Sequence, residues 1–151
     1  MSDATILYDA VHARINAVLP SHKRLSDPYK FTKNTDSEKR QGYGVRVGPG
    51  RNPNQSISCF VVLDQTMTIV LTRLSEGREM DAAKKAVAEK QLLEDLFLIV
   101  KDFESSPTLG TTQVVSSNFD GHAGIEFIGT ERDDVLKLEA DFTFKYTENL
   151  N

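Results

Sequence analysis

Residues 135–146, VLKLEADFTFKY, alternate strictly between apolar and polar side chains. Leu136, Leu138, Ala140, Phe142, Phe144 and Tyr146 fall on one parity, and Val135, Lys137, Glu139, Asp141, Thr143 and Lys145 on the other. Successive side chains of an extended strand point to opposite faces, so this pattern demands a strand with one buried face. A one-residue slip would bury Lys137, Glu139, Asp141 and Lys145, which fixes the register. Phe142→Asp or Phe144→Asp is expected to unfold the domain, whereas Lys137→Glu should spare folding and at most weaken assembly. The strand is longer than the usual ~5–6 residues. It is therefore expected to overhang its own sheet and offer an edge to a neighbouring subunit.

The buried face needs a cover, and two helical patterns supply it. In the first, Leu7, Val11, Ile15 and Val18 recur at helical spacing, Ser2 or Asp3 can cap the start, and Pro20 stops the run. The second covers about 78–103. Met80, Ala83, Val87, Leu93, Leu96, Val100 and Phe103 form its apolar stripe, with Lys84, Lys85, Glu89, Lys90 and Glu94 as a solvated face.

Between the helices, 20–41 lacks periodicity and reads as a long surface loop, with Tyr29 and Phe31 as its bulky apolar groups. A short strand at 42–47 puts Tyr43, Val45 and Val47 on one face and Gly44 and Arg46 on the other. The turn formers of 48–55 predict a flexible tip. Strands are then expected at 57–63 and 65–73, and again at 111–117 and 122–129, the last joined to 135–146 by a hairpin turn over 129–134. The fold class is thus α+β: an antiparallel or mixed sheet of about five strands with two main helices packed on one face. All of residues 1–151 form a single domain, in keeping with the length.

Composition narrows the function. Eighteen basic against 22 acidic side chains leave a net charge of −4, which argues against wholesale wrapping of nucleic acid. The single cysteine, Cys59, excludes an internal disulfide framework and a multi-cysteine zinc site, and its apolar surroundings predict a buried thiol. No segment has the ~18 apolar residues of a membrane span. The start, MSDATILYDAVHAR, does not read as a signal peptide, so folding in a cytoplasm is expected.

No catalytic constellation is legible, and the expectation is a non-enzyme without cofactor or metal. His12, His22 and His122 have no second ligand at metal-binding spacing. His12, off the apolar stripe, is expected to be exposed, and His122 to bond locally near Asp120. GYGVRVGPG is followed by a tip and another strand rather than by a helix, the wrong setting for a phosphate loop. Cys59 has no evident base. Glu126, Glu131, Asp133, Asp134, Glu139 and Asp141 read as a solvated or pore-facing acidic surface, not as paired catalytic acids. The basic residues His22, Lys23, Arg24, Lys30, Lys33, Lys39, Arg40, Arg46 and Arg51 are interleaved with Asp27, Asp36 and Glu38, which favours salt bridges to a partner over DNA recognition.

In element order the chain resembles the tail-terminator proteins of long-tailed bacteriophages. The residues that carry the resemblance are ILYDAVHARINAVLP, DPYKF, GYGVRVGPG, QTMTIVLTR and TERDDVLKLEADFTFKY. Outside DPYKF and GYGVRVGPG, the extended loop 20–41 and the tip 48–55 are not matched to features of that family. The resemblance implies a homo-oligomeric ring, a hexamer, at the head-proximal end of the tail tube. There it would stop tail polymerisation and offer the surface to which the head attaches. Tail-tube protein and head-connector proteins are the implied partners, the virion neck the implied location, and genomic DNA would pass through the lumen without sequence-specific binding. On this reading Tyr29, Phe31, Arg46, Arg51, Lys137 and Lys145 are subunit-interface candidates, and Glu126, Glu139 and Asp141 face the lumen. Alternatives are a head–tail joining protein of the same virion, a non-viral α+β domain that binds peptides by strand addition, and a small-molecule-binding or enzymatic domain with its site between sheet and long helix.

Overall fold

A computed structural model describes residues 2–52, 60–75, 82–129 and 134–149. In chain order the elements are α1 (Asp3–Val18), β1 (Lys23–Arg24), a 3₁₀ turn (Phe31–Lys33), α2 (Asp36–Arg40), β2 (Gln41–Arg51), β3 (Phe60–Ser75), α3 (Ala82–Ser105), β4 (Val114–Gly129) and β5 (Asp134–Asn149). The expected positions of Cys59 and Met80, of 53–55 in the tip and of the turn at 130–133 lie outside the described residues.

The strands form one five-stranded mixed sheet in the order β1-β2-β3-β5-β4, with β1 parallel to β2 and the remaining neighbours antiparallel. Since β5 runs against both its neighbours, β3 and β4 are parallel to each other, and α3 is the crossover that joins them. The α+β sheet with its two long helices is the architecture expected from the sequence.

One face of the sheet is the core. Aligned across the strands, Tyr43, Leu71 and Leu138 form one row, Val45, Ile69 and Ala140 the next, and Val47, Met67, Phe142 and Phe119 a third. All but Val47 and the half-buried Phe119 are buried. Leu7, Val11 and Ile15 of α1 and Leu92, Leu96, Ile99 and Phe103 of α3 cover these rows. Phe103 meets Phe142 and Phe144 edge-on at 5.3 and 5.8 Å between ring centres. Such pairs add about 0.5–1.5 kcal/mol each beyond the area they bury. Glu148 at the end of β5 accepts from the Asp3 and Ala4 amides at 3.2 Å, placing a carboxylate at the positive end of α1.

Several expectations change. The strands expected at 57–63 and 65–73 belong to one continuous β3 over the described residues, with Asp64 and Gln65 inside the ladder. Those at 111–117 and 122–129 are likewise one strand, β4, whose ladder is interrupted between Val114 and Ser116 and again near Gly121 and Gly124, both at positive φ. Glycine meets these bulged conformations without the Cβ penalty. The tip loses its first residues to β2, which runs on to Arg51 past an irregularity between Val47 and Gly50.

The segment 20–41 is not a bare loop. It holds β1, the 3₁₀ turn and α2, and it lies on the back of the sheet. Thr35 and Glu38 form a capping box for α2, and the Thr72 hydroxyl of β3 donates to the Lys39 carbonyl at 2.8 Å. Asn34 bonds the Asp27 amide and carbonyl at 2.7 and 2.8 Å, closing the intervening chain into a compact turn.

The stripe of α3 also differs. Its buried side is Ala88, Leu92, Asp95, Leu96, Ile99 and Phe103, while Val87 and Leu93 face outward. Finally, β5 does not overhang. It pairs with β3 from Asp134 to Asn149 and with β4 from Asp134 to Tyr146, so its backbone groups are used on both sides. The strands that end the sheet are β4, beyond β5, and the two-residue β1 at the opposite side.

Candidate functional site

The back face of the sheet gathers most of the residues singled out from the sequence. Lys137 on β5 is directly opposite Glu126 on β4, and its Nζ lies 3.4 Å from Glu126 Oε2 and 3.0 Å from Glu139 Oε1. Arg46 on β2 reaches across β3 to Glu139 Oε2 at 2.6 Å. Phe31, delivered by the segment before α2, has Lys39 Nζ 5.5 Å and Lys137 Nζ 5.9 Å from its ring centre. Asp141 accepts from the Thr68 hydroxyl at 2.7 Å. Burial alone would raise the Glu139 pKa, but hydrogen bonds from Lys137 and Arg46 outweigh it and hold the carboxylate below its ordinary range.

Two groups assigned opposite roles from the sequence are therefore one network. Arg46 and Lys137, interface candidates, neutralise Glu126 and Glu139, lumen candidates. The face carries mixed charge rather than a single acidic sign. Lys145 occupies the same face nearer the end of β5, opposite Asp64, and Arg51 is exposed at the end of β2. Tyr29 keeps an exposed ring, but its hydroxyl accepts from the Val47 amide at 3.2 Å, tying the segment to β2.

At the sheet's margin, β4 pairs with β5 alone among the described residues. Val115 and Phe127 on this edge are 52% and 44% exposed. Lys85 of α3 lies 4.2 Å from the Phe127 ring centre. On α3 itself Leu93 and Phe97, one turn apart, are exposed, as are Val87 and Leu98.

Sequence reasoning missed two buried polar sites. Contrary to expectation, His12 is only 6% exposed, with Tyr8 and Tyr43 rings 4.6 and 5.7 Å away. Burial, reinforced by Arg24 and opposed by Asp9, lowers its pKa to about 4. The second site joins His22, Arg73 and Asp95, and no spacing rule links residues so far apart in the chain. Asp95 Oδ2 lies 3.0 Å from His22 Nε2 and 2.8 Å from Arg73 Nη2, while Gln41 approaches His22 Nδ1 at 3.4 Å. The third histidine, His122, does bond locally, but to the Gly124 amide, which donates to Nδ1 at 3.0 Å. Asp120 instead accepts from the Thr143 hydroxyl at 2.5 Å.

Among the described residues, no group of three or more His, Cys, Asp and Glu side chains is placed to hold a metal ion, and no helix is long and apolar enough to cross a membrane. No family model and no curated protein matches the chain.

Proposed function

We propose that this chain is a structural subunit that joins copies of itself through the β4 edge of its sheet. The tail-terminator resemblance supplies the particular assembly: a ring at the head-proximal end of a phage tail tube, stopping polymerisation and presenting the surface to which the head attaches. The observation that carries the assembly reading is β4. It forms an outer strand of 16 residues, with Val115 and Phe127 exposed along it. An unpaired strand edge is a template for another chain. Head-to-tail use of this edge, against a different surface of the next copy, closes into a ring when the rotation permits. The outward Leu93 and Phe97 of α3 add apolar surface of the kind that marks protein contacts.

Size-exclusion chromatography with light scattering, on the chain alone and mixed with tail-tube protein, tests the reading. A discrete species at six times the 16.8 kDa protomer supports it. Val115→Lys combined with Phe127→Lys should shift that species toward monomer while leaving the circular dichroism unchanged. A protein that stays monomeric under both conditions would rule the ring out.

A further inference from the structure

A cavity of about 210 Å³ lies between α1, β2 and the chain that follows β1. Its floor includes His12, whose two ring nitrogens have no hydrogen-bond partner despite near-complete burial. An imidazole so placed, neutral at pH 7, still has one N–H to donate and one nitrogen to accept. Leaving both unused costs the desolvation of each. At the mouth stands Arg24, whose Nη2 donates to the Tyr8 hydroxyl at 2.9 Å. No carboxylate among the described residues pairs with this guanidinium, in contrast to Arg14, Arg46 and Arg73. Pro28, Val45 and Val47 supply an apolar wall.

A cation without a counter-charge, a buried donor without an acceptor and an apolar wall together describe an amphipathic anion. We propose that this cavity binds a small organic carboxylate with a compact apolar body. Arg24 and the His12 N–H take the carboxylate, and the body lies against Pro28, Val45 and Val47. One guanidinium and one neutral imidazole N–H supply too little positive charge to favour a phosphate dianion over a monocarboxylate. The site uses neither the edge of β4 nor the ion network on the back face, so it stands whether or not the protein forms a ring.

Titration calorimetry at pH 7 with acetate, benzoate and phenylacetate tests this on the full chain. Benzamide and benzamidine serve as the neutral and cationic isosteres of benzoate. At least one aromatic acid should bind saturably, benzamide roughly tenfold or more weakly, and benzamidine not at all, because binding to Arg24 is charge-assisted. Arg24→Gln and His12→Leu should each weaken the acid by roughly tenfold or more. Arg40→Gln, outside the cavity, should change nothing. The His12 ring resonances should move on adding the acid, and their titration should shift to higher pH, since a nearby anion favours the imidazolium. If none of the three acids binds saturably, or if binding survives both cavity variants, the proposal fails. A preference for benzamidine would overturn it equally.

Discussion

Arg73 on β3 and Asp95 on α3 meet at 2.8 Å in the interior, and the same carboxylate oxygen lies 3.0 Å from His22 in the segment after α1. One buried acid thus ties the sheet, the crossover helix and the start of the back-face segment together. The Nε2–H tautomer of His22 fits both contacts, donating to Asp95 while Nδ1 accepts from Gln41. Removing one member of a buried ion pair strands the other charge, which costs about 3–5 kcal/mol. Asp95→Ala should therefore lower unfolding free energy by roughly that amount in urea titrations. Arg73→Met with Asp95→Leu should recover part of the loss, since no charge is left stranded although the buried His22 Nε2–H loses its acceptor. A loss below about 1 kcal/mol for the single variant would show that the cluster is solvated.

Stability should also fall on acidification in two separable windows. His12 faces Arg24, Asp9, Tyr8 and Tyr43, and its folded pKa of about 4 lies below the ordinary 6.5. Below pH 6.5 the unfolded chain takes up a proton that the folded one refuses, so stability declines from there down to about 4. Glu139 is depressed in the folded state, so its contribution is complete above the ordinary carboxylate pKa and is lost as pH falls through the lower folded value. Denaturant midpoints measured across pH 7 to 3 should show His12→Leu flattening the upper part of the decline and Glu139→Gln the lower. A wild-type midpoint that is level between pH 6.5 and 4.5 would contradict the His12 assignment.

The strict alternation of 135–146 revealed β5 and the residues of its core face, because a period of two can be satisfied only by a half-buried strand. It could not show which strand ends the sheet, since that depends on pairing partners remote in sequence. The long outer strand is β4, which the glycines at 121 and 124 make look like two short strands rather than one bulged one. On α3 the stripe was displaced because the buried side includes Asp95, a residue that apolar-periodicity reading skips. His12 was missed because its position on α1 lies against the Tyr8 and Tyr43 rings, which the helix pattern alone does not show. One local signal was present and unused. Thr35-Asp36-Ser37-Glu38 has the spacing of a capping box, and it starts α2 inside the supposed loop.

The back-face network revises what Lys137→Glu should do. With its side chain 17% exposed, and one Nζ serving Glu126 and Glu139, Lys137 balances the charge of three strands through Arg46. Its reversal would place three carboxylates together, and like charges directly opposite on a sheet are unfavourable. A loss of about 1–2 kcal/mol is expected rather than a neutral outcome. Adding Glu126→Lys should return part of it, because the cross-strand pair is then restored with opposite polarity. If the double variant is no more stable than Lys137→Glu alone, the two side chains do not interact in solution.

Glycines distinguish close packing from backbone conformation. A Cβ at Gly42 would come 2.4 Å from the Glu38 carbonyl, 2.6 Å from Thr72 Oγ1 and 2.9 Å from Leu25 Cδ2, so α2 rests directly on β2 at this point. Gly121, at φ +116, has nothing within 4 Å of that position. Gly42→Ala must therefore push α2 and its capping box off the sheet, at the cost of about 1–3 kcal/mol that overpacking brings. Gly121→Ala meets no neighbour, so its loss of about 1–3 kcal/mol is backbone strain alone. Amide exchange tells the two apart. Gly42→Ala should accelerate exchange across residues 25–40 with β4 unchanged, whereas Gly121→Ala should loosen only the bulged part of β4. Uniform acceleration in both variants would mean that the back-face segment and the edge strand open as one cooperative unit.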